Sequence, residues 1–363
     1  HAGHPRKFDL LVVDEAHNIA PAAGAHYALE SQRTRFIRAI SPHFQHRLFL
    51  TATPHNGYTE SFTSLLELLD DQRFARNILP DEKQLSQVMI RRLKSDLVDA
   101  DGKPLYAQRK LQALAVPYTD EEREIHQKLN DYCASREKDA EKTGSTFGTS
   151  FVNQLLKKRL FSSPAAFAST LEKHVASLSN GAKPKGRDAM AERILRKAIL
   201  KADEDYANDQ EVENAQSEAV EEASRRSQPL TQEQQRILAD LRQWAQRAKN
   251  QTDSKARAIL DWLSANLKPG GQWNDRRVIL FTEYRTTHQW MHEILASHGF
   301  GGERLGLLHG GLTQDEREPI KAAFQASPKD SPVRILLATD AASEGIDLQN
   351  HCHRLVNFDI PFN

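Results

Sequence analysis

The chain has 363 residues, 39% of them hydrophobic, with 49 basic and 49 acidic side chains and two cysteines. That length suits two or three domains with real cores, no apolar run approaches the roughly 18 residues of a membrane span, and no signal segment opens the chain. The zero formal charge gives no whole-chain electrostatic argument for nucleic acid, and the lone pair Cys133 and Cys352 excludes a disulfide framework and fits a reducing cytoplasm.

In chain order, residues 1–115 read as an incomplete α/β domain. In Phe8-Asp-Leu-Leu-Val-Val-Asp-Glu-Ala-His17, the run Leu10 to Val13 is that of a parallel strand covered on both faces, and Asp14-Glu15 leave its carboxyl end. Ligands of open α/β sheets sit at that end, and P-loop enzymes use a strand-end Asp to hold Mg²⁺ on nucleotide phosphates. Asp14 suits that role, and Glu15 suits orienting or deprotonating the attacking water. The plain alternative is a strand followed by an acidic helix start, which the helix dipole also favours. Arg47 to Thr51 forms a second strand entering the polar turn Leu50-Thr-Ala-Thr-Pro-His-Asn-Gly57, whose hydroxyls can contact strand-end carboxylates next to it. A helix follows over Glu60 to Leu69, and Lys110 to Tyr118 has the pattern of a strand.

Residues 116–250 are helical in pattern. Thr119-Asp-Glu-Glu122 is a capping box before Ile125, Leu129 and Tyr132, and Ser163-Pro164 opens a helix with Phe167, Leu171, Val175 and Leu178 in one stripe. Met190 to Leu200 is a third helix, and Thr231 to Trp244, opened by Thr231-x-x-Gln234, a fourth. These stripes read as packing surfaces, with Cys133 in the core. Residues 151–201 carry 11 basic and three acidic side chains, a block that serves either to face phosphates or as a solvated surface. Residues 202–222 carry nine acids and no base. Between Tyr206 and Pro229 the sizeable aliphatics are Val212 and Val220, which predicts a flexible acidic linker over about 203–229.

Residues 251–363 read as a second α/β domain. Asp253 caps a helix with Ile259, Leu260 and Leu263. Strands at Arg277–Thr282, Arg304–Leu308, Val333–Ala338 and Arg354–Asp359 alternate with helices at Thr286–Ser297 and Thr313–Gln325, which predicts right-handed crossovers and a parallel sheet. Leu336 to Leu348 is a strand that stops at hydroxyls, carboxylates and Gly345, with Asp347 suited to accept from a ribose. His351-Cys-His353 has no second ligand pair at metal spacing, and the four tryptophans are scattered as packing residues are, not as a base-stacking platform.

This ordered motif set resembles the superfamily 2 helicases, specifically the Swi/Snf-type double-stranded DNA translocases and their bacterial relatives. Asp14-Glu-Ala-His17, a DEAH box, is similar to their motif II, Thr51-Ala-Thr53 to motif III, Phe281-Thr-Glu-Tyr-Arg-Thr286 to motif IV and Ala338 to Leu348 to motif V. Thr53-Pro-His-Asn-Gly57, Met89-Ile-Arg-Arg-Leu-Lys-Ser-Asp96 and Leu308-His-Gly-Gly311 followed by Arg317 extend the likeness over both α/β blocks. Bacterial members include RapA-type RNA-polymerase recycling factors and DISARM-type phage-defence subunits; Arg159 to Phe167 is similar to the latter.

The resemblance implies an α/β fold of two RecA-like parallel-sheet lobes, the first incomplete, separated by the helical insertion. It implies ATP and Mg²⁺ bound between the lobes and closure that steps the motor along double-stranded DNA. Asp14 then positions Mg²⁺, Glu15 activates water, and His17 with Thr51 and Thr53 couples nucleotide state to DNA contacts. Gly345 and Asp347 face nucleotide, while Thr282, Thr339 and Ser343 grip the DNA backbone without reading sequence. Partners on this reading are double-stranded DNA and other subunits of a defence or transcription complex, in the cytoplasm and away from membrane. Two departures stand out: no Gly-x-x-x-x-Gly-Lys-[Ser/Thr] occurs, Asp101-Gly-Lys-Pro104 being the nearest string, and no motif VI follows motif V. The expectation is therefore a segment of a longer enzyme, running from motif II through motif V and inactive by itself. A hydrolysis-dead module that binds DNA or a partner, and a strand-separating helicase, remain alternative readings.

Overall fold

The computed structural model describes residues 8–20, 32–55, 59–143, 146–179, 195, 209–339 and 348–359. It forms two units that meet in sequence at Leu111 and Gln112.

In the first unit, strand β1 (Leu10–Val13) pairs in parallel with β2 (His46–Phe49), Val13 lying opposite Phe49. Between them come a 3₁₀ turn (Ala16–Ile19) and helix α1 (Gln32–Ile40); α2 (Thr59–Leu69) and the short α3 (Glu82–Val88) follow. Leu65 and Leu68 of α2 bury themselves against Val13, Ala16 and Ile19, while Phe62 and Leu66 pack with Phe74 and the apolar side of α3. Arg47 Nη1 donates to Leu69 O at 2.8 Å and Nε to Ser41 O at 3.1 Å, so a cation closes the carboxyl end of α2. The opposite face of the strands is bare: Leu10 is 51% exposed, Val12 50%, Leu48 46% and Leu50 44%. Among the described residues the apolar run of β1 is thus covered on one face rather than the expected two, by α2, the 3₁₀ turn and Ile37 of α1.

The second unit begins with a helical block: α4 (Asp120–Thr143), α5 (Thr146–Ser162), α6 (Pro164–Ser179), α7 (Asp209–Arg225) and α8 (Gln232–Ala248). Leu129, Tyr132, Cys133, Leu156, Phe167, Leu171, Leu241 and Trp244 form its core. A buried chain of polar groups crosses it, His174 Nε2 lying 2.7 Å from the Tyr132 hydroxyl and Nδ1 2.7 Å from Ser224 Oγ. Burial pushes His174 down to about 3. The capping box at Thr119 is present, Glu122 N–H donating to Thr119 Oγ1 at 3.2 Å, and Glu122 also accepts from Ser254 N–H at 2.9 Å.

Two expectations are corrected here. The segment taken for a linker holds α7 over Asp209–Arg225, its Ala215, Ala219 and Ala223 buried in the helical core and Val220 buried beside them. Alanines four residues apart make one face of a helix, and their small side chains let backbones approach closely, so large aliphatics are not needed to hold it. A Cβ placed on Gly148 of α5 would lie 2.9 Å from Leu195 Cδ2 and 3.4 Å from Ala223 Cβ, which measures how close that approach is. Lys110 to Tyr118 is irregular rather than a strand, since no described strand offers it a ladder and Leu111 is 97% exposed. Of the helix expected over 190–200, only Leu195 lies among the described residues, and it is buried.

The rest of the unit is a regular α/β layer: α9 (Ser254–Leu267), β3 (Val278–Thr282), α10 (Arg285–Ser297), β4 (Leu305–Leu308), α11 (Gln314–Gln325), β5 (Ile335–Thr339) and β6 (Leu355–Asn357). The strands run in parallel in the order β4-β5-β3-β6, and every residue of β5 is buried. Val278, Leu280, Ile335 and Leu337 face α9 and α10, whereas Ile279, Leu336 and Ala338 face Phe324 of α11. Asp253 caps α9, accepting from Ala256 N–H at 2.7 Å, and Thr313 caps α11. Gly299, at φ 78°, closes α10 in the left-handed conformation that glycine favours. The chain is thus mixed α/β with parallel sheets and, between them in sequence, a helical block, and among the described residues no helix is long and apolar enough to cross a membrane.

Candidate functional site

In the first unit, Val13 O accepts from Leu50 N–H and Leu50 O from Ala16 N–H, both at 2.9 Å, so the chain leaving β1 is stitched to the end of β2. The turn forces Glu15 into the left-handed region at φ 47°, a conformation that costs a non-glycine residue on the order of 1 kcal/mol. The Asp14 carboxylate accepts the Glu15 N–H at 2.9 Å, and both acidic side chains remain exposed. His17 Nδ1 lies 3.3 Å from Glu15 Oε2 and 3.1 Å from Thr51 Oγ1. Thr51 Oγ1 in turn accepts from Thr53 N–H at 3.1 Å. Five expected site residues, Asp14, Glu15, His17, Thr51 and Thr53, therefore meet at one end of two parallel strands.

This cluster offers hard oxygen donors open to water beside an imidazole that contacts the neighbouring strand's turn. Among the described residues no group of three or more His, Cys, Asp or Glu could hold a metal ion by itself. That donor set suits Mg²⁺, which takes one or two carboxylates and completes its shell with waters and substrate phosphates.

In the second unit, Thr282 and Thr339 lie opposite each other at the ends of β3 and β5. Both were expected to present hydroxyls to a DNA backbone, yet both are buried. Thr339 Oγ1 donates to Asp209 Oδ2 at 2.7 Å, and Thr282 Oγ1 has no partner among the described residues. Ser343, Gly345 and Asp347 lie outside the described residues.

The same strand ends hold groups that the motif reading missed. Asp209 Oδ2 accepts Gly310 N–H at 2.7 Å as well as Thr339, and Arg317 fixes that loop by donating to Gly310 O at 2.8 Å. Glu213, one turn along α7, accepts from Thr286 N–H at 3.0 Å and Thr286 Oγ1 at 2.9 Å, and pairs with Arg159 at 3.1 Å. The Arg159 guanidinium stacks 3.7 Å from the centre of the Tyr284 ring. Arg285 donates to His288 Nδ1 at 2.8 Å, which leaves His288 Nε2 to donate to Leu337 O at 3.1 Å. Burial pushes His288 down to about 3. The one sequence signal for Asp209 and Glu213 was their four-residue spacing, which puts them on one helix face.

Residues 255–363 match the family "Helicase conserved C-terminal domain". "Uncharacterized ATP-dependent helicase YqhH" of Bacillus subtilis (strain 168) is 33% identical over 89 residues, which are 24% of this chain and 14% of that protein. "ATP-dependent rRNA helicase RRP3" of Encephalitozoon cuniculi (strain GB-M1) is 37% identical over 84 residues, 23% of this chain and 19% of that protein. The chain thus spans less than a fifth of these relatives' length. Among solved structures, the Sulfolobus solfataricus SWI2/SNF2 ATPase core domain aligns with 96% of this chain and 56% of its own at 15% identity and a TM-score of 0.33. The C-terminal part of the Fun30 ATPase domain aligns with 68% and 75% at 16% identity and a TM-score of 0.33. The matched residues, 255–363, span the α/β layer of the second unit.

Proposed function

Starting from a helicase-type C-terminal domain, we propose that the intact protein is an ATP-dependent motor that translocates along double-stranded DNA. The observation that carries this reading is the chain Glu15, His17, Thr51 at the ends of β1 and β2, where an exposed carboxylate is tied through an imidazole to the turn of the next strand. On this reading Asp14 would hold Mg²⁺, which would supply charge neutralisation at the nucleotide phosphates. Glu15 takes the proton of the water that attacks the terminal phosphorus, the bond to ADP breaks, and phosphate leaves. General-base assistance of this kind contributes roughly 10² to 10⁴ in rate. His17 senses whether Glu15 is engaged and passes that state to Thr51, whose hydroxyl also fixes the Thr53 backbone. Gly345 and Asp347 contact nucleotide from the second α/β block, while Ser343, Thr282 and Thr339 serve the DNA backbone once Thr339 is free of Asp209. The motor serves a cytoplasmic phage-defence or transcription-recycling complex.

A second reading, strand separation, draws support from the relatives whose names are those of ATP-dependent RNA helicases. Triplex displacement and forked-duplex unwinding, run side by side on the full-length protein with ATP, distinguish the two. Translocation predicts release of the third strand with the duplex left intact; robust unwinding of the fork without triplex release contradicts it.

A further inference from the structure

The acidic helix α7 meets the second sheet where ligands of open α/β sheets sit, at the carboxyl ends of the strands. Thr339 ends β5, Gly310 follows β4 by two residues and Thr286 follows β3 by four. Each of two carboxylates on the helix is received there in the same way. Asp209 accepts one main-chain N–H, from Gly310, and one hydroxyl, from Thr339. Glu213 accepts the N–H and the hydroxyl of Thr286, with the Arg159 guanidinium behind it. Arg285 lies in the field of both acids and His309 in that of Asp209.

A main-chain N–H paired with a hydroxyl is how proteins grip phosphate oxygens without reading sequence. Four residues of α-helix place the two carboxylates about 6 Å apart along the axis, on one face, as neighbouring phosphates lie along one strand. Asp209 is buried, so this is a seated anion and not a solvated side chain brushing a loop. The helix itself is held by alanines and one valine, a modest apolar anchor, and carries further acids at Glu211, Glu218, Glu221 and Glu222.

We infer that the start of α7 is an internal mimic of a nucleic-acid backbone: Asp209 and Glu213 occupy two phosphate positions at the sheet's carboxyl edge and must leave before DNA is gripped there. The inference rests on the motor reading above and adds a restraint to it. It explains why Thr339, assigned to the DNA backbone, is buried and already bonded to an anion. A site that is free for only a fraction of molecules has its apparent affinity reduced by that fraction, so a helix docked nine-tenths of the time weakens DNA binding about tenfold.

The test uses the full-length protein and a short blunt DNA duplex at one fixed salt concentration. The carboxamide pair Asp209→Asn with Glu213→Gln keeps shape and one accepting oxygen at each position, replaces the other oxygen by a donating NH2, and removes both charges. It is expected to bind the duplex about tenfold more tightly than wild type by fluorescence anisotropy, with the helical circular-dichroism signal of the folded protein retained. In wild type, saturating duplex is expected to speed hydrogen exchange of the amides of residues 209–225. Duplex that binds without altering that exchange overturns the inference, as does a folded variant that binds no more tightly, and either outcome leaves the motor reading standing. Should the variant fail to fold, the exchange experiment alone decides. Absence of any ATP-dependent response to nucleic acid in both proteins overturns the motor reading and the inference together.

Discussion

Two strands of nearly the same composition, Leu-Leu-Val-Val in β1 and Ile-Leu-Leu-Ala-Thr in β5, live in different surroundings. All of β5 is buried between two neighbouring strands and helices on both faces, whereas Leu10 and Val12 of β1 are half exposed beside a single partner strand among the described residues. The chemistry at their ends differs in the opposite sense. The polar groups after β1 stand open to water, while the hydroxyl that ends β5 is buried and engaged by Asp209. An apolar run therefore specifies a strand and aims its carboxyl end, but the covering layers decide whether that end is available to a ligand.

The largest effect expected from this contrast is in packing. Leu336→Ala in β5 removes a fully buried side chain between α11 and the sheet and is expected to cost about 2–5 kcal/mol. Val12→Ala removes a half-exposed one and is expected to cost less than about 1 kcal/mol. Denaturant unfolding of each variant checks the pair, and equal losses would erase the distinction between the two strands.

Acid sensitivity gives the next effect. His174 and His288 are held neutral, both down at about 3, so in the window from about 6.5 to 3 the unfolded chain binds protons that the folded second unit does not. Their stability contribution is complete above the unfolded value near 6.5 and falls as pH drops, by at most about 1.4 kcal/mol per pH unit for each. Asp253, pushed up to about 6 by burial, works the other way, stabilising below about 3.8 and losing that contribution as pH rises through 6. The two histidines outnumber it, so the melting temperature of the second unit should fall between pH 6 and 4. His174→Gln should flatten that fall, and a steeper one would contradict the assignment.

The smallest effect separates a packed helix from an exposed one. Thr231→Ala removes the side chain that receives Gln234 N–H at 3.2 Å and should cost about 1 kcal/mol, because α8 is part of the helical core. Asp81→Ala removes an equivalent cap from α3, which has no fully buried residue, and should change global unfolding by less than about 0.5 kcal/mol while raising exchange of its own amides.

Much of this was legible from residue patterns. Strand ends, capping boxes at Thr119 and Thr231, and the alternation from Asp253 onward each follow from local chemistry, and the structure contains them. So was the meeting of Asp14, Glu15, His17 and Thr51, since parallel strands joined by one crossover bring their carboxyl ends together. What was not legible depends on distant partners. Helix α7 has the composition of a linker, poor in large aliphatics, and its alanine face counts only once another backbone comes close. Lys110 to Tyr118 has a strand's pattern but no ladder, and the seat of Asp209 joins residues 101 and 130 positions away along the chain.

The central claim, that the open carboxylates after β1 are the hydrolytic end of a motor, is tested most directly by steady-state ATP turnover of full-length Glu15→Gln with duplex DNA present. The account predicts turnover reduced by roughly 10² to 10⁴ with DNA binding retained. Turnover equal to wild type would contradict it.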